Sequence, residues 1–141
     1  MVEAVAREPV IAGAATGAVK TLLQLEGLAL LIAATSAYAW VGAPWWLYAV
    51  LFLVPDIGLA GYLVRRRVGA IAYDALHVTF APLVLGGLGV AYDIQLAVWV
   101  ALIWLAHIGV DRALGIGLKY EAGAAYTHLG RMGRRAWPSA A

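Results

Sequence analysis

Four long apolar segments constrain the fold of this chain more than any other feature. They run from Thr21 to Val41, Trp45 to Val64, Val68 to Tyr92 and Ile94 to Leu114. A helix needs ~20 mostly apolar residues to cross ~30 Å of hydrocarbon, and each segment meets that length. Hydrophobic residues make up 64% of the chain and charged residues 13%, whereas a soluble domain carries about 25% charged residues. The sequence therefore predicts an integral membrane protein.

The links between these segments predict how the helices are arranged. The first is Gly42 to Pro44, closed by the interfacial aromatics Trp45 and Trp46, and the others are Arg65 to Arg67 and Tyr92-Asp93. Links this short join antiparallel neighbours, so we expect an all-α, up-down bundle of four transmembrane helices. We divide the chain into a lead-in (1–20), the transmembrane domain (21–114) and a tail (115–141). Close helix packing is expected at Gly58, Gly61, Gly86, Gly87 and Gly89.

The distribution of basic residues predicts the orientation. Lysine and arginine fall on one side of the four-span arrangement, at Lys20, Arg65 to Arg67, Arg112, Lys119, Arg131, Arg134 and Arg135, and the opposite turns carry none. The positive-inside rule places that side, with both termini, in the cytoplasm of a cell whose inner membrane holds the protein. A net charge of +2 gives no argument for a nucleic-acid partner. The expected partners are membrane lipid and either further copies of the chain or a larger membrane complex.

Six ionisable residues lie within the predicted spans, and each is costly there unless it is paired or hydrated. They are Glu26, Asp56, Asp74, His77, His107 and Asp111. At ~1.5 Å of rise per residue, all six fall on the cytoplasmic side of the bilayer middle or close to it. Asp74 and His77 are spaced i,i+3, and His107 and Asp111 i,i+4, so each pair shares one helix face. The structural alternatives to a functional site are interhelical hydrogen bonds for the two histidines and, for Glu26 and Asp111, solvation of the carboxylates near the membrane interface.

Carboxylate and imidazole groups on facing helices are how metal sites are built in helix bundles. One hypothesis is a divalent metal, such as zinc, which accepts mixed nitrogen and oxygen donors. The expected ligands are Asp56, His77, His107 and Asp111. Asp74 or Glu26 would act as the catalytic base or support a ligand. Pro55 is expected to free a backbone carbonyl beside the site.

The polar tail that follows the fourth span has two interpretations. It is either a solvated extension near anionic headgroups or a lid over the cytoplasmic mouth of the bundle. In the second case, Lys119 or His128 would contact whatever binds there. The chain holds no cysteine, which excludes a thiolate metal site and a cysteine nucleophile.

Several motifs resemble those of the bacterial domain-of-unknown-function family 4260, a family of small integral membrane proteins. The resemblance runs from about residue 22 to 132, through Leu25-Glu26-Gly27, Pro55-Asp56, Gly61-Tyr62-Leu63, the stretch from Gly69 to Asp74, the stretch from Trp104 to Arg112, Gly117 to Tyr120 and Thr127 to Arg131. It implies a polytopic membrane protein and no particular activity.

A second similarity concerns the layout of the polar residues. The order of Pro-Asp, a histidine in the next span and a later His-x-x-x-Asp is similar to that of the YdjM-type membrane-bound metal-dependent hydrolases. That similarity favours a metal-binding membrane hydrolase acting on a lipid-like or phosphorylated substrate. The alternatives are a small proton-coupled transporter working as an oligomer and a non-catalytic accessory subunit of a larger membrane complex. The HExxH, Gly-x-Ser-x-Gly and phosphate-loop patterns are absent.

Overall fold

The computed structural model describes residues 13–132. The elements are α1 (Gly17–Trp40), α2 (Trp45–Leu51), a 3₁₀ helix (Val54–Leu63), α3 (Arg66–His77), α4 (Phe80–Ala91), α5 (Gln95–Ala113) and the antiparallel strands β1 (Tyr126–Thr127) and β2 (Gly130–Arg131). Four stretches are long and apolar enough to cross a membrane, Gly17–Trp40, Trp45–Leu63, Arg66–Ala91 and Gln95–Ala113. They confirm the predicted four-span, all-α class. The parts of the predicted lead-in and tail in residues 1–12 and 133–141 lie outside the described residues.

The second span is not one continuous α-helix, although the apolar pattern predicted one. After α2 the chain continues as a 3₁₀ helix, with Pro55 in its first turn. Pro55 has no N–H to donate to Leu51, and the amide of Asp56 donates to the carbonyl of Leu53 instead. This tighter winding is uncommon over a ten-residue stretch and often marks a functional position.

The third span is also interrupted, in the middle of the predicted segment Val68 to Tyr92. α3 ends at His77, Val78 is extended, and α4 begins at Phe80. Pro82 lies four residues after Val78, where its ring would clash with the Val78 carbonyl of a continuous helix. The break leaves the Leu76 carbonyl without its helical partner, and Trp104 Nε1 of α5 donates a hydrogen bond to it.

The helices pack with α5 in contact with α1, α2 and α4, while α3 packs on the 3₁₀ helix. Small residues permit these approaches: a Cβ atom on Gly109 would lie 2.6 Å from the Leu31 nitrogen of α1. Among the glycines predicted to pack closely, all but one have a neighbouring helix within 3.1 Å of a Cβ position, namely Gly58, Gly61, Gly86 and Gly89. The prediction was wrong for Gly87, because a Cβ atom there would meet nothing within 4 Å.

The chain after α5 folds back on one end of the bundle. Ala15 donates a backbone hydrogen bond to His128, and the amide of Lys119 donates a 2.7 Å bond to Asp74 Oδ1 of α3. We call residues 114–132 the tail segment. The end of the bundle that holds it and Arg65 to Arg67 is called the basic side. The tail segment is therefore docked on the described bundle.

Candidate metal centre

Four ionisable side chains from three spans converge inside the bundle. Asp56 comes from the 3₁₀ helix just after Pro55, and His77 is the last residue of α3. His107 and Asp111 lie one turn apart on α5. One ligand atom from each residue lies within 4.8 Å of every other. The structure thus brings together the four residues that the sequence predicted as metal ligands.

The distances between these ligand atoms are those of a small coordination shell. His77 Nε2 lies 3.1 Å from His107 Nε2 and 3.4 Å from Asp111 Oδ2. Asp56 Oδ1 lies 3.7 Å from His77 Nε2 and 3.6 Å from His107 Nε2, and His107 Nε2 lies 3.7 Å from Asp111 Oδ2. Tetrahedral zinc at bond lengths of about 2.0–2.1 Å holds its donor atoms about 3.3–3.4 Å apart. Five of the six distances are therefore close to those of a four-coordinate metal site, and the sixth, between Asp56 and Asp111, is at most 4.8 Å.

His77 is oriented by its own helix. Its Nδ1 lies 2.8 Å from the carbonyl of Tyr73, which can only accept a hydrogen bond, so Nδ1 carries the proton. Nε2 then faces His107 and the carboxylates, and in the neutral imidazole it is the nitrogen with the free lone pair. A backbone carbonyl that fixes the tautomer in this way is the usual support of a metal-binding histidine.

Tyr73 also supports Asp111. Its hydroxyl donates a 2.8 Å hydrogen bond to Asp111 Oδ2, and its ring stacks on the imidazole of His77 at a centroid distance of 3.6 Å. Tyr73 is 2% exposed. One buried residue therefore holds two of the four converging side chains.

His107 is held between aromatic and backbone groups. The ring of Phe52 packs edge-on against the imidazole, with 5.5 Å between the ring centroids. The backbone of Phe52 also lies close to the imidazole. Nδ1 of His107 is buried without a hydrogen bond of normal geometry. Phe52 lies where α2 gives way to the 3₁₀ helix, so the backbone beside His107 is irregular, as expected from Pro55.

Access to the centre is uneven. The side chains of His77, His107 and Asp111 are 4%, 2% and 12% exposed, whereas that of Asp56 is 38% exposed. Beside His77 and Asp111 lies a cavity of ≈ 10 Å³, which Gly117 and Leu118 of the tail segment help to line. A void of that size holds about one water molecule. The tail segment thus covers the centre on the basic side, and Asp56 is its most open member.

The remaining sequence-predicted residues lie around the centre rather than in it. Asp74 Oδ1 accepts a 2.7 Å hydrogen bond from the amide of Lys119 and so anchors the tail segment to α3. Glu26 is exposed on α1, and within residues 13–132 no hydrogen bond or ion pair connects it with the four converging residues. The geometry gives Asp74 a docking contact and leaves the predicted role of Glu26 as a base without a supporting contact.

Lys119 is a buried cation of the tail segment. Its Nζ donates a 2.8 Å hydrogen bond to the carbonyl of Ala124 and lies 4.4 Å from the centre of the Tyr73 ring. Burial lowers the pKa of Lys119, and the carboxylates of Asp111, Asp56 and Asp74 oppose that shift. The charge of Lys119 thus lies against the outer face of the tyrosine that supports the centre.

His128 is part of the internal structure of the tail segment. Its Nδ1 accepts a 2.8 Å hydrogen bond from the amide of Leu118, and its own amide donates to the Leu118 carbonyl. Burial lowers the pKa of His128, and the nearby guanidinium of Arg112 acts in the same direction. His128 therefore stabilises the conformation of the tail segment.

Sequence reasoning missed Tyr73 and Trp104 as parts of this region. Tyr73 precedes His77 by four residues, so the helical spacing that paired Asp74 with His77 also places it on the histidine's face. Trp104 precedes His107 by three residues, but its partner is a carbonyl that only the break in the third span exposes. Spacing could have found Tyr73 but not the bond that Trp104 makes.

The fold and the centre define a class: a small four-span membrane protein with a histidine–aspartate cluster, three of whose four members are buried, near one end. The profile of the domain of unknown function DUF4260 matches residues 20–132, and the chain belongs to that family. No curated protein and no solved structure matches the chain. The similarity to membrane-bound hydrolases thus rests on the order of the polar residues alone.

Proposed function

We propose that this protein binds a zinc ion through Asp56, His77, His107 and Asp111 and uses it to hydrolyse a substrate that reaches it from the membrane. The observation that carries the proposal is the spacing of the four donor atoms, which all lie within 4.8 Å of one another. Two imidazole nitrogens and two carboxylates at this spacing repel one another unless a cation or shared protons lie among them. Zinc is the divalent ion best suited to such mixed donors.

A zinc ion held by these four residues would lower the pKa of a water molecule taken up as a fifth ligand, which is the chemistry that hydrolysis of an ester or phosphoester needs. The cavity of ≈ 10 Å³ beside His77 and Asp111 offers a place for that water next to the ligands. Tyr73 supports the site by holding Asp111 Oδ2 and by orienting His77 through its carbonyl. Support of this kind keeps ligands in place for the metal.

A proton-coupled transporter would use the same groups as a relay, and the 3.1 Å contact between the two histidines is compatible with proton exchange. A relay across the membrane needs titratable groups on both sides of the centre. Residues 31–54 contain no Asp, Glu, His, Lys or Arg, and residues 78–106 contain only Asp93, in the turn between two spans. Titratable groups therefore extend from the basic side only to the middle of the bundle. This favours a site that is open to one side over a relay across the membrane.

Zinc content of the purified protein tests the proposal. We expect about one zinc ion per chain, measured by inductively coupled plasma mass spectrometry after dialysis. His77→Ala and His107→Ala should lose the ion, because each removes a ligand from a four-donor site. Both variants should still insert in the membrane, since one histidine adds little to the hydropathy of its span.

The third histidine provides the control. His128→Asn should keep zinc, since His128 lies in the tail segment and its Nδ1 is occupied by the Leu118 amide. Wild-type protein without zinc, or equal zinc in the His77→Ala and wild-type proteins, would contradict the proposed metal site. The cluster would then be a hydrogen-bonded network of an accessory subunit.

A further inference from the structure

An apolar groove adjoins the metal centre on the side away from the tail segment. Its volume is ≈ 190 Å³, and eight residues of α2, the 3₁₀ helix, α3 and α5 line it: Leu51, Val54, Pro55, Ile57, Leu76, Val100, Ile103 and Trp104. An engineered apolar cavity of ~150 Å³ accepts a benzene molecule. The groove therefore has room for a hydrocarbon segment of on the order of six carbons or more.

The residues that line the groove lie close along the chain to three of the four members of the centre. Pro55 and Ile57 flank Asp56, and Leu76 precedes His77. Ile103 and Trp104 lie one turn before His107 on the same face of α5. The groove therefore lies about one helical turn from His107 along α5.

The order of groove and centre along the bundle matches the polarity of a membrane lipid. α5 runs toward the basic side, so Val100 and Ile103 lie ~6–10 Å deeper in the membrane than His107, at 1.5 Å per residue. A lipid of the leaflet on the basic side has its headgroup outermost, then its ester linkages, and its chains toward the bilayer middle. A chain lying in the groove would place a polar linkage beside the centre.

Exposure of the side chains indicates the same route. The tail segment covers His77 and Asp111 on the basic side, and the most exposed ligand is Asp56, whose two neighbours line the groove. Entry through the cytoplasmic mouth would require the tail segment to move. The side chain of Asp56 is 38% exposed with the tail segment docked.

We propose that the groove binds the hydrocarbon chain of a membrane lipid whose polar linkage lies at the His–Asp centre. The inference rests on the proposed function, since it names the substrate class of that site. The substrate is then an amphiphile that enters sideways from the bilayer rather than a water-soluble ester.

Photolabelling tests the groove in the full-length protein reconstituted in phosphatidylcholine nanodiscs. The probe is a lysophosphatidic acid with a diazirine at about the sixth carbon of its acyl chain, the length that the groove accommodates. We expect saturable labelling concentrated on groove residues such as Leu76 and Trp104, and stronger labelling with zinc than with a chelator. Ile57→Trp should reduce it about tenfold, the change that about 1.4 kcal/mol of lost contact produces.

Two variants keep this test interpretable. Leu63→Trp adds the same side chain to the same 3₁₀ helix at an exposed residue outside the groove, and should leave labelling unchanged. Val100→Trp fills the groove from α5 and should reduce labelling even if Ile57→Trp fails to fold. Both filling variants should retain zinc, because neither residue is a ligand.

Zinc content, measured on the same samples, separates the two proposals. Labelling spread evenly over lipid-facing residues and insensitive to both filling variants overturns the groove, even in a protein that holds zinc. Saturable groove labelling in a protein that binds no zinc overturns the proposed metal site while supporting the groove as a lipid site.

Discussion

Tyr73 connects three parts of the molecule through its ring and its two polar ends. Its hydroxyl holds Asp111, its carbonyl orients His77, and its ring lies between that imidazole and the cation of Lys119. A change in the position of Lys119 could therefore affect Asp111 and His77 through Tyr73 alone. A substitution at Tyr73 would separate support of the proposed ligands from ligation itself, because Tyr73 is not one of the four.

Tyr73→Phe deletes the hydrogen bond to Asp111 and keeps the stacked ring. We expect the zinc dissociation constant to rise about 10–100-fold, the usual effect of losing a group that supports a ligand. Competition with a chromophoric chelator measures it. Tyr48→Phe is the matched control, since its hydroxyl lies 2.8 Å from Thr35 Oγ1, away from the centre. Equal zinc affinity in both variants would show that Tyr73 does not act through Asp111.

Residue spacing predicted much of this centre and for a clear reason. Asp56, His77, His107 and Asp111 could be grouped because ionisable residues in a span must find partners, and helical rise gives their depth. The same reasoning grouped Asp74 and Glu26 with them, although Asp74 is turned to the Lys119 amide. Depth and period place a residue on a face, but they do not decide which neighbour that face meets.

At the scale of the helices, two prolines shape the surroundings of the centre. Pro55 lies in the first turn of the 3₁₀ helix that carries Asp56, and Pro82 follows the break that ends α3 at His77. The sequence predicted four continuous helices because hydropathy reports apolar length and not backbone winding. Irregular backbone at membrane depth is tolerated where it is buried in protein or lines a cavity, and both breaks adjoin the centre.

The contact between α1 and α5 depends on small residues. Gly109→Ala would place a Cβ atom 2.6 Å from the Leu31 nitrogen and 2.8 Å from the Gly27 oxygen. Backbone atoms cannot move aside as a side chain can, so we expect a loss of about 1–3 kcal/mol in the free energy of unfolding. Equilibrium unfolding in detergent measures the change.

Gly87→Ala is the control for this prediction, because its Cβ atom would meet nothing within 4 Å. An alanine in a helix is favoured over glycine by roughly 0.5–1 kcal/mol, so this variant should be as stable as the wild type or slightly more so. Similar destabilisation by both substitutions would contradict the close packing of α1 on α5.

Docking of the tail segment should depend on pH through His128. Protonation of Nδ1 removes the acceptor for the Leu118 amide, and burial together with Arg112 lowers the pKa of His128. The neutral form is therefore the docked one: docking is strongest above the ordinary value of about 6.5 and weakens as the pH falls below it. Hydrogen-exchange protection of the tail-segment amides, corrected for intrinsic rates, should decrease from pH 7.5 to about pH 5.

His128→Asn supplies the control for the pH experiment. Its side-chain oxygen can accept the Leu118 amide at a similar position and does not titrate. Protection in this variant should change less with pH than in the wild type. Equal pH dependence in both proteins would assign the effect to another group, such as Asp74.

At the scale of the whole molecule, polarity is separated along the bundle axis. The basic side carries Arg65 to Arg67, the docked tail segment and the His–Asp centre, whereas the turns at the opposite end hold no lysine or arginine and adjoin the exposed Trp45 and Trp46. The sequence alone could predict this asymmetry, because it follows from which turns contain lysine and arginine. The direction in which the bundle crosses the membrane remains a prediction of the positive-inside rule.

Labelling of single cysteines tests that direction, and the natural chain has no cysteine to remove first. Gly42→Cys and Asp93→Cys, in the two turns without lysine or arginine, should react with a membrane-impermeant maleimide added to intact cells. Arg66→Cys should react only after permeabilisation, because the arginine-bearing turn is retained in the cytoplasm. Arg66 is exposed, so its thiol would be reachable once the reagent is inside. Labelling of Arg66→Cys in intact cells, with Gly42→Cys protected, would show that the bundle crosses the membrane in the opposite direction. The centre and its groove would then lie in the outer leaflet.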